Sequence, residues 1–202
     1  MAKNARYNAP YRRRKQGKTD YAARKGLVLS GKPRIVIRGT VKNMTAQIIT
    51  AKPDGDVVLV SAHSRELSEK YGWKGPGTNI SAAYLVGLLC GVRAKAKGNE
   101  EAIADIGLHS PSKGARVFAV LKGAVDGGVN VPHSEEKLPS DDRIKGEHIG
   151  QYAKSLASEP DVYQMRFSKY VERKLNPEDL PGNFAETKKN IMADFKTGGK
   201  TA

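Results

Sequence analysis

The sequence predicts an α/β fold: a mixed sheet, formed by a three-strand antiparallel meander followed by helix, strand and helix, with a basic N-terminal arm before it and a helical C-terminal extension after it. Three observations carry this reading. Three β-branched runs follow one another early in the chain, bounded by turn residues. The apolar spacing then changes to that of helices, and the cations crowd at the front. The chain has 202 residues, 39% hydrophobic and 6% aromatic, enough for one good core built of Val, Ile, Leu and Ala with a small appendage.

The strands are PRIVIRGT (33–40), TAQIITA (45–51) and DVVLVSAHS (56–64), each rich in residues that suit a pleated surface. Between the second and third lies KPDGD, where Pro53 fixes φ and Gly55 takes the positive φ of a hairpin turn. From Thr78 a helix is expected, with Ile80, Ala83, Tyr84, Gly87, Leu88 and Gly91 on one stripe and Leu85, Val86 and Leu89 around it; a helix apolar on nearly every side must be covered. AIADIGLHS (102–110) suggests a short strand. A second helix then presents Val117, Leu121 and Val125 before Gly127 and Gly128 stop it. A strand that returns to the sheet after a helix makes that part parallel.

Past VNVPHSEEKLPSDDR the signals are short and helical. Ser158 with Asp161 has the spacing of a capping box, Tyr163, Phe167, Tyr170 and Val171 follow at helical intervals until Asn176-Pro177, and a last segment runs from Phe184 through Ile191 and Met192 to Phe195. Their narrow apolar stripes imply helices that drape over the sheet or dock on a partner. The expected units are an arm over 1–32, a core over 33–132 and an extension over 133–202 that finishes in the flexible tail FKTGGKTA.

Charge separates arm from body. The whole chain carries +14, yet residues 1–38 hold 12 cations and 1 acid against 23 and 20 in the remainder. A cationic arm on a near-neutral body draws polyanions by counterion release, the footprint of a nucleic-acid binder. It is not a targeting peptide, because Leu27, Val28 and Leu29 are too few for the apolar core of an export signal. The longest apolar run, Ala82 to Val92, is too short for a membrane span. The single Cys90 offers neither a disulfide framework nor a metal-ligand pair, so a reducing cytoplasm is expected, with no cofactor and no metal.

Catalytic readings find little support. GWKGPGTNIS sets glycines before a helix, but it lacks the Gly-Lys-Ser/Thr ending of a phosphate-binding loop and reads better as a helix-start loop capped by Thr78 or Asn79. His63 beside Ser64, His133 near Glu135 and Glu136, and Glu147-His148 supply acid-base types without zinc-protease spacing or a linked nucleophile. Cys90 on the apolar helix reads as inert core. Neither an enzymatic role nor a small-molecule substrate is expected.

The arm interleaves aromatics with its cations. Tyr7, Tyr11 and Tyr21 lie among Arg6, Arg12, Arg13, Arg14, Lys15, Lys18, Arg24 and Lys25. Arginine presents a planar fork to phosphate, and tyrosine a π-face to an unstacked base. That mixture favours RNA over mere solubility. Lacking an apolar stripe, the arm is expected to be mobile alone and ordered on RNA.

Five blocks carry a resemblance: TDYAARKGLVLSGKPRIVIR, AQIITAKPDGDVVLVSAHSRELSEKYGWKG, NISAAYLVGLLCG, DIGLHSPSKGARVFAVLKGAVDGG and VPHSEEKLPSDDRIKGEHI. In this order they resemble the archaeal branch of the large-subunit ribosomal protein L eighteen family, whose eukaryotic counterpart carries 5S ribosomal RNA. The resemblance implies a structural protein that binds 5S ribosomal RNA, seats it in the central protuberance, and touches the large ribosomal RNA and neighbouring large-subunit proteins. It implies RNA contacts on the arm, on Lys32 and Arg34 at the start of the first strand, on the turn Lys42-Asn43, and at the second helix start, His109, Lys113, Gly114 and Arg116. A helix N-terminus flanked by cations suits phosphate; for Lys42 and Asn43 an ordinary polar turn explains the residues equally well.

Two other classes stay open at this point. A small enzyme acting on an anionic nucleotide would need a carboxylate, histidine or metal constellation and would keep its turnover without the arm. A non-ribosomal RNA chaperone would bind many RNAs alike.

Overall fold

The alternation Arg-Ile-Val-Ile-Arg sends successive side chains to opposite faces of a strand, and the fold follows that division. A computed structural model describes residues 4–196; the expected tail beyond Lys196 lies outside the described residues. Strand β1 (Arg34–Gly39) pairs antiparallel with β2 (Met44–Lys52), β2 pairs antiparallel with β3 (Gly55–His63), and β1 pairs parallel with the short β4 (Ile103–Asp105). The resulting mixed sheet has the order β3-β2-β1-β4. Its inner face is apolar and sealed, with Ile35, Ile37, Ala46, Ile48 and Ala62 fully buried. Register puts Arg34 opposite Ile49, Val36 opposite Gln47 and Arg38 opposite Thr45 on the other face. The β2–β3 hairpin closes over Pro53 and Asp54, with Lys52 paired to Gly55.

Short α3 (Ser64–Lys70) continues directly from β3. The apolar helix α4 (Ile80–Ala96) then crosses the inner face, started by Asn79, whose side chain accepts from the Ala82 N–H at 2.7 Å. Twelve of its seventeen residues are buried, which explains a sequence with no polar side. Helix α5 (Arg116–Asp126) packs along it with the backbones in near contact. A side chain on Gly87 or Gly91 would run into the backbone at Val120 or Ala124, and one on Gly123 into the carbonyl of Tyr84. Cys90 is fully buried in α4, and burial pushes its thiol up to about 12, far from thiolate reactivity.

The extension comprises α6 (Asp141–Lys145), α7 (Glu147–Ser155), α8 (Pro160–Glu172) and α9 (Leu180–Lys196). Rather than draping over the sheet, these helices cover the far side of α4 and the loop 71–77, with Leu180, Phe184 and Ile191 joined to the same core as the sheet, α4 and α5. The capping box expected from Ser158 and Asp161 does not form: α8 starts at Pro160 with Glu159 in the cap position and no side-chain cap. Pro160, fixed in φ and lacking an N–H, suits the first helical position, which leaves Ser158 one residue outside.

Polar contacts fasten the extension to the backbone of the loop. Asn183 donates to the Gly72 carbonyl at 3.0 Å and accepts from the Lys74 N–H at 3.1 Å, while Arg173 donates to the Gly75 carbonyl at 2.7 Å. Tyr71 donates to Asp194 at 2.8 Å; its hydroxyl is pushed up to about 12, by burial first and by that carboxylate second. Tyr84 donates to Asp126 at 2.6 Å and accepts from Lys188 at 2.9 Å, tying α4, α5 and α9 together.

Candidate nucleic-acid interface

The one acid among the arm's cations, Asp20, starts a helix. Its Oδ1 accepts from the N–H groups of Ala22 and Ala23 at 2.9 and 3.2 Å, capping α2 (Tyr21–Leu29). Before it, Arg12, Arg13, Arg14 and Lys15 form the single turn α1 (Arg12–Lys15), where roughly 100° per residue spreads the four cations around the axis. Arg6, Lys18 and Lys25 are exposed, as are Tyr7 and Tyr11; the Tyr11 and Tyr21 rings lie 4.9 Å apart. Arg13 donates through Nε to Thr19 at 2.8 Å, which leaves the outer fork of the guanidinium toward solvent.

A chain of alternating charge runs over the outer sheet face beneath α2. Arg24 of α2 grips Asp56 through both terminal nitrogens, at 3.0 and 2.8 Å. Arg34 donates to Asp56 at 3.0 Å and to Asp105 at 2.9 Å. Arg38 reaches the other oxygen of Asp105 at 2.9 Å and its backbone carbonyl at 2.8 Å, and the Gly107 N–H completes that carboxylate at 3.0 Å. The Arg24 fork holds the Asp56 carboxyl below the usual carboxylate range and is itself raised by it.

The cations at the start of the first strand have different surroundings. Arg34, expected at the RNA surface, is 2% exposed and bonded to two internal carboxylates, so it organises the face instead of presenting a free cation. Lys32 is exposed and paired with Glu101 at 2.8 Å, a contact that solvent weakens. The half-exposed Arg38 was missed, although the RIVIR alternation sets it on the same face as Arg34. Asp56 and Asp105 were missed because only the fold brings β3 and β4 to either side of that pair.

The second-helix group does come together. His109 accepts through Nε2 from the Gly39 N–H at 3.4 Å, and Gly39, His109, Ser112 and Arg116 line a hollow of about 160 Å³ where α5 starts. Ala115 in the cap position provides no side-chain acceptor, so the first N–H groups of α5 are open to an anion. Exposed Lys113 stands beside it, and Gly114 turns the chain with φ +71°. The β1–β2 turn leaves Lys42 exposed, whereas Asn43 accepts from Ser64 at 3.2 Å and is partly committed to the turn. Leu108 borders the arm-side cleft and His109 the hollow, so the two regions adjoin.

Among the described residues no group of His, Cys, Asp and Glu could hold a metal, and no helix is long and apolar enough to cross a membrane. A family profile described as "Ribosomal large subunit proteins 60S L5, and 50S L18" matches residues 5–101 and 94–134, which include the arm, the sheet, α4 and α5. Large ribosomal subunit protein uL18 of Aeropyrum pernix is 52% identical over 197 residues, spanning 97% of this chain and 92% of that relative. With the arm, the outer face and the α5 start all inside the matched segments, this chain belongs to the family of ribosomal large-subunit proteins that comprises 60S L5 and 50S L18.

Proposed function

We propose that this chain, by its family a structural constituent of the large ribosomal subunit and not an enzyme, binds 5S ribosomal RNA and attaches it to the large ribosomal RNA in the central protuberance of a cytoplasmic ribosome. One observation carries the reading: the arm holds exposed cations and tyrosines that have no carboxylate partners among the described residues, Arg24 and Lys32 excepted, and it overlies a sheet face whose own charges are already paired. Such a surface repels cations, has little use for an apolar partner, and suits phosphates and unstacked bases.

The contacts fall in two groups. Arg6, Tyr7, Tyr11, Arg12, Arg13, Arg14, Lys15, Lys18, Tyr21 and Lys25 of the arm meet the RNA backbone and loops, with Lys32 and Arg24 at the edge. His109, Lys113, Gly114 and Arg116 hold a phosphate at the α5 start, with Lys42 and Asn43 beside it. The extension gives neighbouring ribosomal proteins a surface on α8, where Met165 and Val171 are exposed. The test is the RNA retained when the full chain is purified under moderate salt. A single species of 5S size is expected; a broad RNA mixture would mean a general chaperone and would overturn the assignment.

A further inference from the structure

Helix α2 and the outer sheet face do not close on each other. A cleft of about 860 Å³ separates them, within the range of sites that hold a compact ligand. Ala23, Gly26 and Leu27, at helical spacings of three and four, line it from the arm, and Val36 and Ile49 from the sheet. Arg13 and Lys18 also border it. Its three carboxylates are spoken for: Asp20 by backbone N–H groups, Asp56 and Asp105 by arginines. Arg13 and Lys18 have no carboxylate partner among the described residues. The cleft therefore mixes apolar side chains with internally paired charges and has a cationic margin.

Gly26 points to an occupant from outside the chain. It sits inside a nine-residue helix, where glycine weakens the helix relative to alanine. Its φ is not positive, and a side chain built there would meet nothing within 4 Å. No turn or close approach within this protein requires a glycine, so its missing side chain serves to leave the cleft wide.

Resting on the reading of the protein as a 5S RNA binder, we propose that the cleft takes one unpaired nucleotide of that RNA, its base between α2 and the outer face and its phosphate at Arg13 and Lys18. A flat base can lie between Ala23 and Leu27 of the helix and a sheet wall in which Arg34 and Arg38 flank Val36, since both apolar and guanidinium surfaces accept a base face, while a base still paired in a duplex cannot leave the stack to enter.

The test uses the full chain and 5S RNAs carrying 2-aminopurine at one unpaired position at a time. One position responds in fluorescence when protein binds. Gly26→Trp, which fills the cleft, abolishes the response and weakens binding on the order of tenfold, and Gly26→Ala, which adds one methyl, reduces both by less. Ala23→Trp, one turn earlier on the same face, repeats the loss. With an abasic nucleotide at the responding position, Gly26→Trp and the unaltered protein bind alike. The inference is overturned if no unpaired position responds, or if both tryptophan variants bind 5S RNA normally. It is overturned equally if those variants bind RNA but are shut out of assembled subunits, which would assign the cleft to a neighbouring protein. Failure of the unaltered chain to bind 5S RNA would instead sink the parent reading and this one with it.

Discussion

Arg34 joins carboxylates from two other strands while almost wholly removed from water, so its loss takes one bond from each, Asp56 keeping Arg24 and Asp105 keeping Arg38 and the Gly107 N–H. Arg34→Met should lower unfolding free energy by about 2 kcal/mol, since bonds to charged groups are lost while both carboxylates keep other partners, as urea denaturation will show. Asp56 behaves differently because it is partly exposed. Its carboxyl is held below the ordinary value, so the folded state favours the ionised form; the link to Arg24 is intact above the ordinary carboxylate pKa and is lost as pH falls through the lowered one. Protection of α2 amides relative to their intrinsic exchange should therefore fall as pH drops from the ordinary carboxylate range through the lowered value, and Asp56→Asn should lower it already at neutral pH. The α1 cations test the proposed RNA contact. Replacing Arg12, Arg13, Arg14 and Lys15 with Gln should flatten log K against log salt by roughly 3 units. Tyr7→Ala with Tyr11→Ala should cost about 1–3 kcal/mol per stacked base with the slope unchanged; an unaltered slope in the four-Gln protein would make the cluster a solvated turn.

Among the elements, the α4–α5 seam tolerates least. Gly123 sits where any side chain meets the carbonyl of Tyr84, and two helices already at backbone contact can only separate. Gly123→Ala should destabilise by about 1–3 kcal/mol, measured as a lowered denaturation midpoint, whereas Gly98→Ala, in open space though at positive φ, should cost less. The sequence placed Gly87 and Gly91 on the α4 stripe, but their purpose becomes visible only when α5 lies against them. Helix α2 was hidden for a related reason: none of its residues is buried, so no apolar period announces it, and the cap at Asp20 was the one available signal. The edge strand β3 has its own protection. Arg93 and Lys97 of α4's end donate to the carbonyls of Ser61 and Leu59 at 2.7 and 3.0 Å, occupying acceptors that another strand would use.

For the whole molecule, the meander, the crossover to β4 and helices α4 and α5 were legible because period and turn chemistry are local properties. The charge chain across the outer face was not, since Asp56 and Asp105 meet Arg34 only after the sheet has formed. Nor was the fit of the extension, whose short stripes gave no partner; it completes the core through Leu180, Phe184 and Ile191. Removing residues 141–196 should accordingly abolish the cooperative unfolding transition, read by circular dichroism, and 5S RNA binding should fall along with assembly. A truncated chain that keeps a sharp transition would make the extension a true appendage. That dependence sets a clock on synthesis. About 80 residues separate the end of α4 from the start of α9, and at roughly 5–20 residues per second the most apolar helix of the chain waits several seconds for its last cover. During that interval the nascent protein shows a greasy, half-dressed surface to a crowded cell, and the growing chain has to be shielded by a chaperone or finish quickly.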